Sequence, residues 1–302
     1  MSYYDDLLEK IPKIKRVLDD DTNCPIYHYT KPEKLLNILS GGAIRFSNAL
    51  YLNDKEEIAY PETGWGQVLP SYFDDEIVIE NHARNGRSTR TFISEGRWDY
   101  LLSHTNKGDF VIIQFGHNDE SVKKADRYTK PEDFKKNFAR FVDDVKAKGA
   151  TPILCTPVMR RKFSKNGNFI DQHGNYPNLI RQVAKEKNVL LIDMQHLSMD
   201  FLIGAGVEDS KKYFLHVKPG ECKKHPDGKE DNTHFKPDGA MEMAKLFVEQ
   251  LKANNVKQLV KHLRDDEKVT LTYTTQLPEI KKMKSNTNNK LDEGEKNAPQ
   301  VK

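Results

Sequence analysis

The chain has 302 residues, enough for one large domain or two modest ones with a substantial core. Lys and Arg number 48 against 45 Asp and Glu, and the resulting net charge of +3 argues against a nucleic-acid partner. No stretch approaches the roughly 18 apolar residues of a membrane span, so no membrane partner is expected. The first residues lack the pattern of a secretory signal, and the three cysteines are odd in number and far apart. These features predict a cytoplasmic protein without a disulfide framework or a structural zinc site.

Residues 1–57 differ in character from the rest of the chain. An apolar-periodic segment at 4–18 precedes the sequence Ile26-Tyr-His-Tyr-Thr30 and a short helical stretch that ends at Gly41-Gly42. The next residues, 43–46, predict a short strand. His28 is interpreted either as a half-buried strand residue or as part of a site in this first segment.

Between about residues 60 and 255, short apolar runs alternate with helical stretches. Two of these stretches carry apolar stripes, from Phe134 to Val145 and from Ala240 to Leu251. The pattern predicts an α/β fold, a three-layer α/β/α sandwich with a mostly parallel sheet and ligands beyond the carboxyl ends of the strands. The predicted strands are 77–80, 110–115, 151–156 and 189–193.

The chain loses this pattern from about residue 265. An edge strand is predicted within 269–277, and the Lys-, Asn- and Glu-rich residues 281–302 are interpreted as disordered.

Polar residues follow directly after two of the predicted strands, and a third polar segment precedes the last long helix. An Asn side chain and a Gly backbone N–H at strand ends can donate to a developing oxyanion. A carboxylate three residues before a histidine, on a loop, can fix the tautomer of the imidazole. Taken alone, each pattern is more often that of a turn or a surface ion pair. The three segments are Asn81-His-Ala-Arg-Asn-Gly-Arg-Ser88, Gly116-His-Asn-Asp119 and Glu230-Asp-Asn-Thr-His-Phe235.

Other candidates have two interpretations each. His82 and His117 lie near the expected rim of the site or are loop histidines with structural hydrogen bonds. Trp65 and Trp98 stack on sugar rings or pack in the core. The basic run Arg160-Arg-Lys162 binds an acidic polysaccharide such as a galacturonan or is solvated.

In this order and on this α/β pattern, the motifs resemble those of the GDSL/SGNH hydrolases, and within them the rhamnogalacturonan acetylesterase-like branch. The resemblance covers residues 59–255, about two thirds of the chain. The matching stretches are Pro61-Glu-Thr-Gly-Trp-Gly-Gln67, Asn81 to Ser88, Glu95-Gly-Arg-Trp98, Ile113-Gln-Phe-Gly-His-Asn-Asp119, Lys148-Gly-Ala-Thr-Pro152 and Asp227-Gly-Lys-Glu-Asp-Asn-Thr-His-Phe235.

This resemblance implies an SGNH-hydrolase-like, flavodoxin-like sandwich and a serine-type acetylesterase that acts on an acetylated oligosaccharide or polysaccharide such as rhamnogalacturonan. The reaction would pass through an acyl-serine intermediate, without a metal or another cofactor. By resemblance, His234 is the general base, Asp231 its orienting carboxylate, and Gly86 and Asn118 the oxyanion donors.

One block of the family is absent. The nucleophile belongs to a Gly-Asp-Ser sequence at the end of the first strand, and no Gly-Asp-Ser occurs in the chain, where Ser47 is the only serine shortly before Pro61. Residues 26–57 instead resemble the opening of an uncharacterised bacterial family with Tyr-His-Tyr-Thr and Leu-Asn-Asp-x-x-Glu motifs. The predicted organisation is therefore a segment of different origin at 1–57, an SGNH hydrolase-like domain at 58–264 and a largely disordered tail at 265–302.

The sequence leaves two functional interpretations. In one, residues 43–46 supply a replacement for the first strand, Ser47 is a stand-in nucleophile, and the chain is an esterase. In the other, the chain is a non-catalytic sugar-binding protein or remnant scaffold fused to an unrelated N-terminal segment, which on its own could carry a regulatory function.

Overall fold

The computed structural model describes residues 43–48 as backbone and residues 62–222 and 224–274 with their side chains. The predictions made for 1–42, which include His28, and for 281–302 lie outside the described residues. In chain order, the helices and strands are β1 Ala43–Asn48, α1 Trp65–Val68, β2 Val78–Asn81, α2 Thr89–Ser94, α3 Arg97–His104, β3 Phe110–Gln114, α4 Pro131–Ala147, β4 Thr151–Cys155, α5 Tyr176–Lys187, β5 Leu190–Ile192, α6 Met194–Ala205, β6 Phe214–Val217, β7 Lys229–Phe235, α7 Pro237–Ala253 and α8 Lys257–Val260.

A parallel sheet organises the described part of the chain. Its strand order is β2-β1-β3-β4-β5, and every neighbouring pair is parallel. All five carboxyl ends therefore lie at one edge, where the loops after β2 and β3 begin on the two sides of β1. Strands β6 and β7 form a separate antiparallel pair.

Strand β1 lies in the interior of the sheet, between β2 and β3. Ile44 is opposite Ile79 of β2 and Phe110 of β3. The prediction that residues 43–46 insert as a replacement strand is confirmed at the level of the backbone, and the strand continues to Asn48. Without it, the facing N–H and C=O groups of β2 and β3 would have no ladder partner.

Helices cover both faces of the sheet, as the sequence predicts. Alternate residues of β3 point to opposite faces, so that Val111 and Ile113 join the core beneath α4 and α5 while Ile112 joins the core beneath α7. The apolar stripe from Phe134 to Val145 is fully buried on one side, and the stripe from Ala240 to Leu251 is buried on the other. These two cores confirm the three-layer α/β/α sandwich.

Both tryptophans belong to the core, and neither presents a face to a ligand. Trp65 and Trp98 have no exposed surface. Trp65 Nε1 donates to Gln114 Oε1 at 3.0 Å, and Trp98 Nε1 donates to Asp144 Oδ2 at 2.9 Å. The interpretation of these rings as sugar-stacking platforms is therefore wrong.

Two further sequence predictions need correction. The segment that holds Asp231 and His234 is not a loop but strand β7. Its residues are mostly polar and lack the apolar–polar alternation that predicts a strand. Residues 269–274 form no strand; Thr272 and Thr274 instead donate their N–H groups to Ser71 Oγ at 2.8 Å and to the Gln67 carbonyl at 2.7 Å. The other predicted strands differ from the observed ones by one or two residues at their ends.

Within residues 62–222 and 224–274, no helix has the length and apolar character needed to cross a bilayer.

Candidate active site

Asp231 and His234 form a close pair on β7. Asp231 Oδ2 accepts a hydrogen bond from His234 Nδ1 at 2.8 Å, and Asp231 Oδ1 accepts the N–H groups of Thr233 at 2.7 Å and of His234 at 3.0 Å. Because an ionised carboxylate only accepts, Nδ1 carries the proton, and the neutral imidazole has its lone pair on Nε2. This geometry is the one that the predicted roles of His234 as a base and Asp231 as its orienting carboxylate require.

The charges of the pair are set by burial and by these contacts. Burial raises the pKa of Asp231, but the hydrogen bonds and charge of His234 outweigh it and hold that pKa well below its usual range. Burial lowers the pKa of His234, but the Asp231 hydrogen bond and the negative charges of Glu62 and Asp231 outweigh it, so this pKa is raised. Asp231 is therefore ionised at neutral pH, and His234 must lose its proton to act as a base.

Glu62 faces the other nitrogen of the same ring. Its Oε1 lies 3.6 Å from His234 Nε2 and accepts a hydrogen bond from Asn85 Nδ2 at 3.2 Å. Sequence reasoning missed this carboxylate, although it belongs to the stretch Pro61 to Gln67 that carries the family resemblance. Glu62 thus joins the segment before α1 to the loop after β2, beside the catalytic base.

Gly86 lies in the loop after β2, where the backbone favours glycine. Its φ is +76°, and a Cβ at this position would lie 3.3 Å from Arg127 Nη1. The next residue fixes the loop, because Arg87 donates to the Asn85 carbonyl at 2.9 Å and to Glu95 at 3.0 Å. The backbone of Gly86 is therefore held in place, and the Arg127 guanidinium lies on the side where a Cβ would be.

Asn118 lies in the loop after β3 and contacts the loop after β2. Its Nδ2 donates to the Arg87 carbonyl at 3.0 Å. A primary amide has two N–H bonds, so one remains for a ligand. This contact fixes the side chain next to the loop that carries Gly86, and the two predicted oxyanion donors belong to adjoining loops.

Asp119, in the loop after β3, is hydrogen-bonded to Thr89, the residue that begins α2 after the other loop. Its Oδ1 accepts hydrogen bonds from Thr89 N at 2.9 Å and from Thr89 Oγ1 at 2.6 Å, while its buried Oδ2 has no hydrogen-bond partner within the described residues. Burial outweighs the hydrogen bonds from Thr89 and raises the pKa of Asp119 to about 7. This carboxyl positions Asn118 relative to the start of α2.

A buried charged cluster supports the loop after β3 from the other side. His173 contacts Glu120 Oε2 through Nδ1 at 2.9 Å and the Val158 carbonyl through Nε2 at 2.9 Å. Arg160 binds Glu120 Oε1 and donates to the His117 carbonyl at 3.1 Å. Because the Val158 carbonyl can only accept, His173 Nε2 is the donor of that hydrogen bond. The cluster anchors the residues immediately before Asn118.

The two rim histidines lie outside the catalytic pair. His82 is buried and contacts Glu80 Oε2 at 3.1 Å, and His117 is 3% exposed with its ring 4.5 Å from that of His173. His82 fits its interpretation as a loop histidine with a structural hydrogen bond. That interpretation is wrong for His117, because both of its ring nitrogens are buried without a hydrogen-bond partner among the described residues.

Ser47 is the next-to-last residue of β1. The register places it opposite Ile113, close to the carboxyl edge, on the strand that lies between β2 and β3. The loops that come after these two neighbours carry Gly86 and Asn118. The backbone position is thus compatible with the role predicted for Ser47.

A group of possible metal ligands lies at the opposite edge of the sheet. Among the described residues, only Asp74, Glu76 and His262 bring three such ligand atoms within 4.8 Å of one another. Asp74 and Glu76 precede the amino end of β2, His262 follows α8, and His262 Nδ1 already contacts Asp74 at 3.2 Å.

Known proteins with related sequences include carbohydrate esterases. The chain is 40% identical over 189 residues to the rhamnogalacturonan acetylesterase RhgT of Bacillus subtilis strain 168, a match that covers 63% of this chain and 80% of that protein. It is 37% identical over 190 residues to the probable rhamnogalacturonan acetylesterase YesY of the same organism, covering 63% and 83%.

A solved structure and a family model also match the chain. The crystal structure of protein YxiM from Bacillus subtilis superposes with a TM-score of 0.61 at 27% identity, over 71% of this chain and 57% of that chain. The model of the GDSL-like Lipase/Acylhydrolase family matches residues 53–241. Because this match covers more than half of the chain, the chain belongs to the GDSL-like lipase/acylhydrolase family.

Proposed function

We propose that this chain is a carbohydrate esterase that removes acetyl groups from a polysaccharide such as rhamnogalacturonan by a Ser-His-Asp mechanism. The observation that carries the proposal is the Asp231–His234 hydrogen bond of 2.8 Å. The substrate class comes from the related acetylesterase and probable acetylesterase of Bacillus subtilis, which are 40% and 37% identical to this chain.

In the first half-reaction, His234 would act as the base, and Gly86 and Asn118 would stabilise the oxyanion. His234 Nε2 accepts the proton of the nucleophile's hydroxyl as its oxygen attacks the acetyl carbonyl carbon. The Gly86 N–H and Asn118 Nδ2 donate to the oxyanion that forms. The intermediate collapses when the C–O bond to the sugar breaks and His234 returns the proton to the sugar oxygen, leaving an acetyl-enzyme.

In the second half-reaction, water takes the place of the nucleophile's hydroxyl group. His234 removes a proton from water, the hydroxide oxygen attacks the acetyl-enzyme, and acetate leaves as the nucleophile regains its proton. In both halves the imidazolium is stabilised by Asp231 at Nδ1 and by the carboxylate of Glu62 near Nε2.

We assign the nucleophile to Ser47 because β1 occupies the place of the family's first strand. Labelling of the folded protein with a fluorophosphonate, followed by peptide mapping, tests this assignment. An activated serine displaces fluoride and forms a stable Oγ–P bond, so we expect modification at Ser47 that is lost in Ser47→Ala and His234→Ala.

The non-catalytic alternative predicts a different result in the fluorophosphonate labelling experiment. If the folded protein takes up no label and hydrolyses no acetyl ester, the chain is a non-catalytic sugar-binding protein or scaffold, in keeping with the absent Gly-Asp-Ser sequence. Labelling at a serine other than Ser47 would keep the esterase and refute the assigned nucleophile.

Glu62→Gln is expected to move the acidic limb of the pH profile. His234 must be neutral to accept a proton, so kcat/KM rises with pH through the pKa of His234. Because the charge of Glu62 contributes to the raised pKa, its removal should lower that pKa and shift the limb to lower pH. Measurement of kcat/KM from pH 4 to 9 for a neutral acetyl ester checks this. A limb that stays in place or moves to higher pH would show that Glu62 does not act on His234.

The boundaries at 57 and 264 and the cytoplasmic location stay predictions.

A further inference from the structure

Arg127 lies against the backbone of Gly86, one of the two proposed oxyanion donors. A Cβ at Gly86 would lie 3.3 Å from Arg127 Nη1, and no other atom of the described residues, apart from the two chain neighbours, comes within 4 Å of that position. Because a C–C bond is about 1.5 Å long, Nη1 lies within about 5 Å of the Gly86 Cα. The guanidinium therefore lies where a side chain would be, beside the proposed oxyanion site.

The loop after β3 carries Arg127, and α2 holds this part of the loop in place. Arg90, in the first turn of α2, donates to the Ala125 carbonyl at 2.8 Å and to the Tyr128 carbonyl at 3.1 Å. These two carbonyls flank Arg127 in the chain. The backbone that presents Arg127 is thus bound to the helix that follows the Gly86 loop.

One edge of the Arg127 guanidinium is bound to a carboxylate, and another is not. Asp126 Oδ2 lies 3.0 Å from Arg127 Nε and 2.9 Å from Nη2. The hydrogen bond from Arg127 lowers the pKa of Asp126, so this carboxyl is ionised at neutral pH. Among the described residues, Nη1 has no hydrogen-bond acceptor. The nitrogen that faces the Cβ position of Gly86 thus keeps both of its N–H bonds for a ligand.

The charge of Arg127 suits an oxygen that becomes negative during a reaction. Arginine side chains are always charged in proteins. The Arg127 side chain is 29% exposed and that of Asp126 is 66% exposed, so water screens the counter-charge more than the guanidinium. A cation beside a carbonyl oxygen interacts weakly with the neutral ester and strongly with the oxyanion. Its contribution therefore falls on the transition state more than on the bound substrate.

We propose that Arg127 is a third donor to the oxyanion, beside the Gly86 N–H and Asn118 Nδ2, and the one that carries a full positive charge. As the nucleophile attacks, the carbonyl π electrons move onto the oxygen, and an N–H of Nη1 donates a hydrogen bond to it. Arg127 transfers no proton and forms no covalent bond. This inference rests on the proposed function, because it concerns the oxyanion of that reaction. A Cβ at position 86 would occupy the side from which the guanidinium approaches.

The kinetic test uses Arg127→Gln and the conservative variant Arg127→Lys. A group that acts only in the transition state lowers kcat and kcat/KM equally, so KM should stay within about twofold. On p-nitrophenyl acetate, which is neutral, we expect Arg127→Gln to lower kcat about 30-fold. This is less than the roughly 10²–10³-fold loss for a buried donor, because water reaches the side chain. Arg127→Lys keeps the charge and should lose only about fivefold.

Asp126→Asn is the matched control, because it keeps the charge of Arg127 and removes the carboxylate that binds it. With a counter-charge gone, kcat should stay unchanged or rise by up to about threefold. Equal losses in Asp126→Asn and Arg127→Gln would show that the ion pair only holds the loop, and would refute the proposal. A loss in Arg127→Gln that is confined to KM, or to substrates with a negative charge, would refute it as well.

A binding measurement separates this inference from the proposed function. Acetate and acetamide have nearly the same shape, but only acetate is an anion, and neither requires turnover. Titration of the full chain, followed by the NMR linewidth of the ligand's methyl signal, measures both affinities. We expect acetate binding that Arg127→Gln weakens about tenfold and Asp126→Asn does not weaken, with acetamide binding unchanged in both variants.

The two proposals fail in different ways in this measurement. The expected acetate result without esterase activity would refute the proposed function and support the role of Arg127. Esterase activity together with acetate binding that Arg127→Gln does not weaken would refute that role and leave the function standing.

Discussion

His234→Ala is expected to lower kcat/KM for acetyl-ester hydrolysis by at least about 10³-fold, because removal of a triad base leaves only the contribution of the oxyanion donors and of binding. Its Nε2 is the group that would accept the nucleophile's proton, and Asp231 already holds its other nitrogen at 2.8 Å. Steady-state rates on p-nitrophenyl acetate and on an acetylated oligosaccharide measure the loss. The thermal midpoint should change little, because His234 is partly exposed at the protein surface.

The chain offers a matched control for this substitution. Asp193 and His196 have the same spacing as the catalytic pair and lie 3.0 Å apart, but the His196 side chain is 60% exposed and lies on α6. His196→Ala should leave the rates unchanged. If His234→Ala and His196→Ala had the same small effect, the Asp231–His234 pair would be a surface ion pair and the esterase mechanism would fail.

Gly239→Ala is expected to destabilise the protein by about 2–4 kcal/mol, the upper range for overpacking, partly offset by the better helix propensity of Ala. Gly239 lies in the first turn of α7, and a Cβ there would lie 2.1 Å from the Tyr213 carbonyl oxygen and 3.0 Å from Phe235 Cδ1. The Tyr213 carbonyl already accepts the Lys236 N–H at 3.0 Å and has little freedom to move. For a domain of this size, the thermal midpoint should fall by roughly 5–15 °C.

Gly204→Ala is the control for the glycine substitution. Gly204 lies near the end of α6, and a Cβ there would have no atom within 4 Å. Ala in an exposed helical position should leave stability unchanged or raise it by up to about 1 kcal/mol. Equal midpoints for the two variants would contradict the close approach of α7 to Tyr213.

The periodic parts of the sequence predict most of the fold. The stripe from Phe134 to Val145 has a helical period, and the runs at β3 and β4 are short and apolar, so their positions follow from burial alone. Strand β7 was missed because Lys229–Phe235 is mostly polar, and its hydrogen bonds to β6 rather than its own residues decide its conformation.

Some contacts of the candidate site can be predicted from a local sequence motif, and others cannot. His234 and Asp231 are three residues apart, so a local motif finds them, although Asp193 and His196 show that the same spacing also produces a surface pair. Contacts across long stretches of sequence escape such reasoning. Glu120 and His173 are 53 residues apart, and Arg161 and Asn232 are 71 residues apart. Glu62 was invisible for this reason too, since nothing near it in the sequence marks it as the partner of an imidazole.

The separation of the β6–β7 hairpin from the parallel sheet has a consequence for how such a chain can change over time. The base and its carboxylate belong to one antiparallel pair, while the oxyanion donors and the proposed nucleophile belong to the edge of the sheet. Strand β1 pairs with β2 and β3, so an exchange of β1 leaves the hydrogen bonds between β6 and β7 intact. The proposed base and its carboxylate can therefore stay assembled while the strand that carries the proposed nucleophile changes.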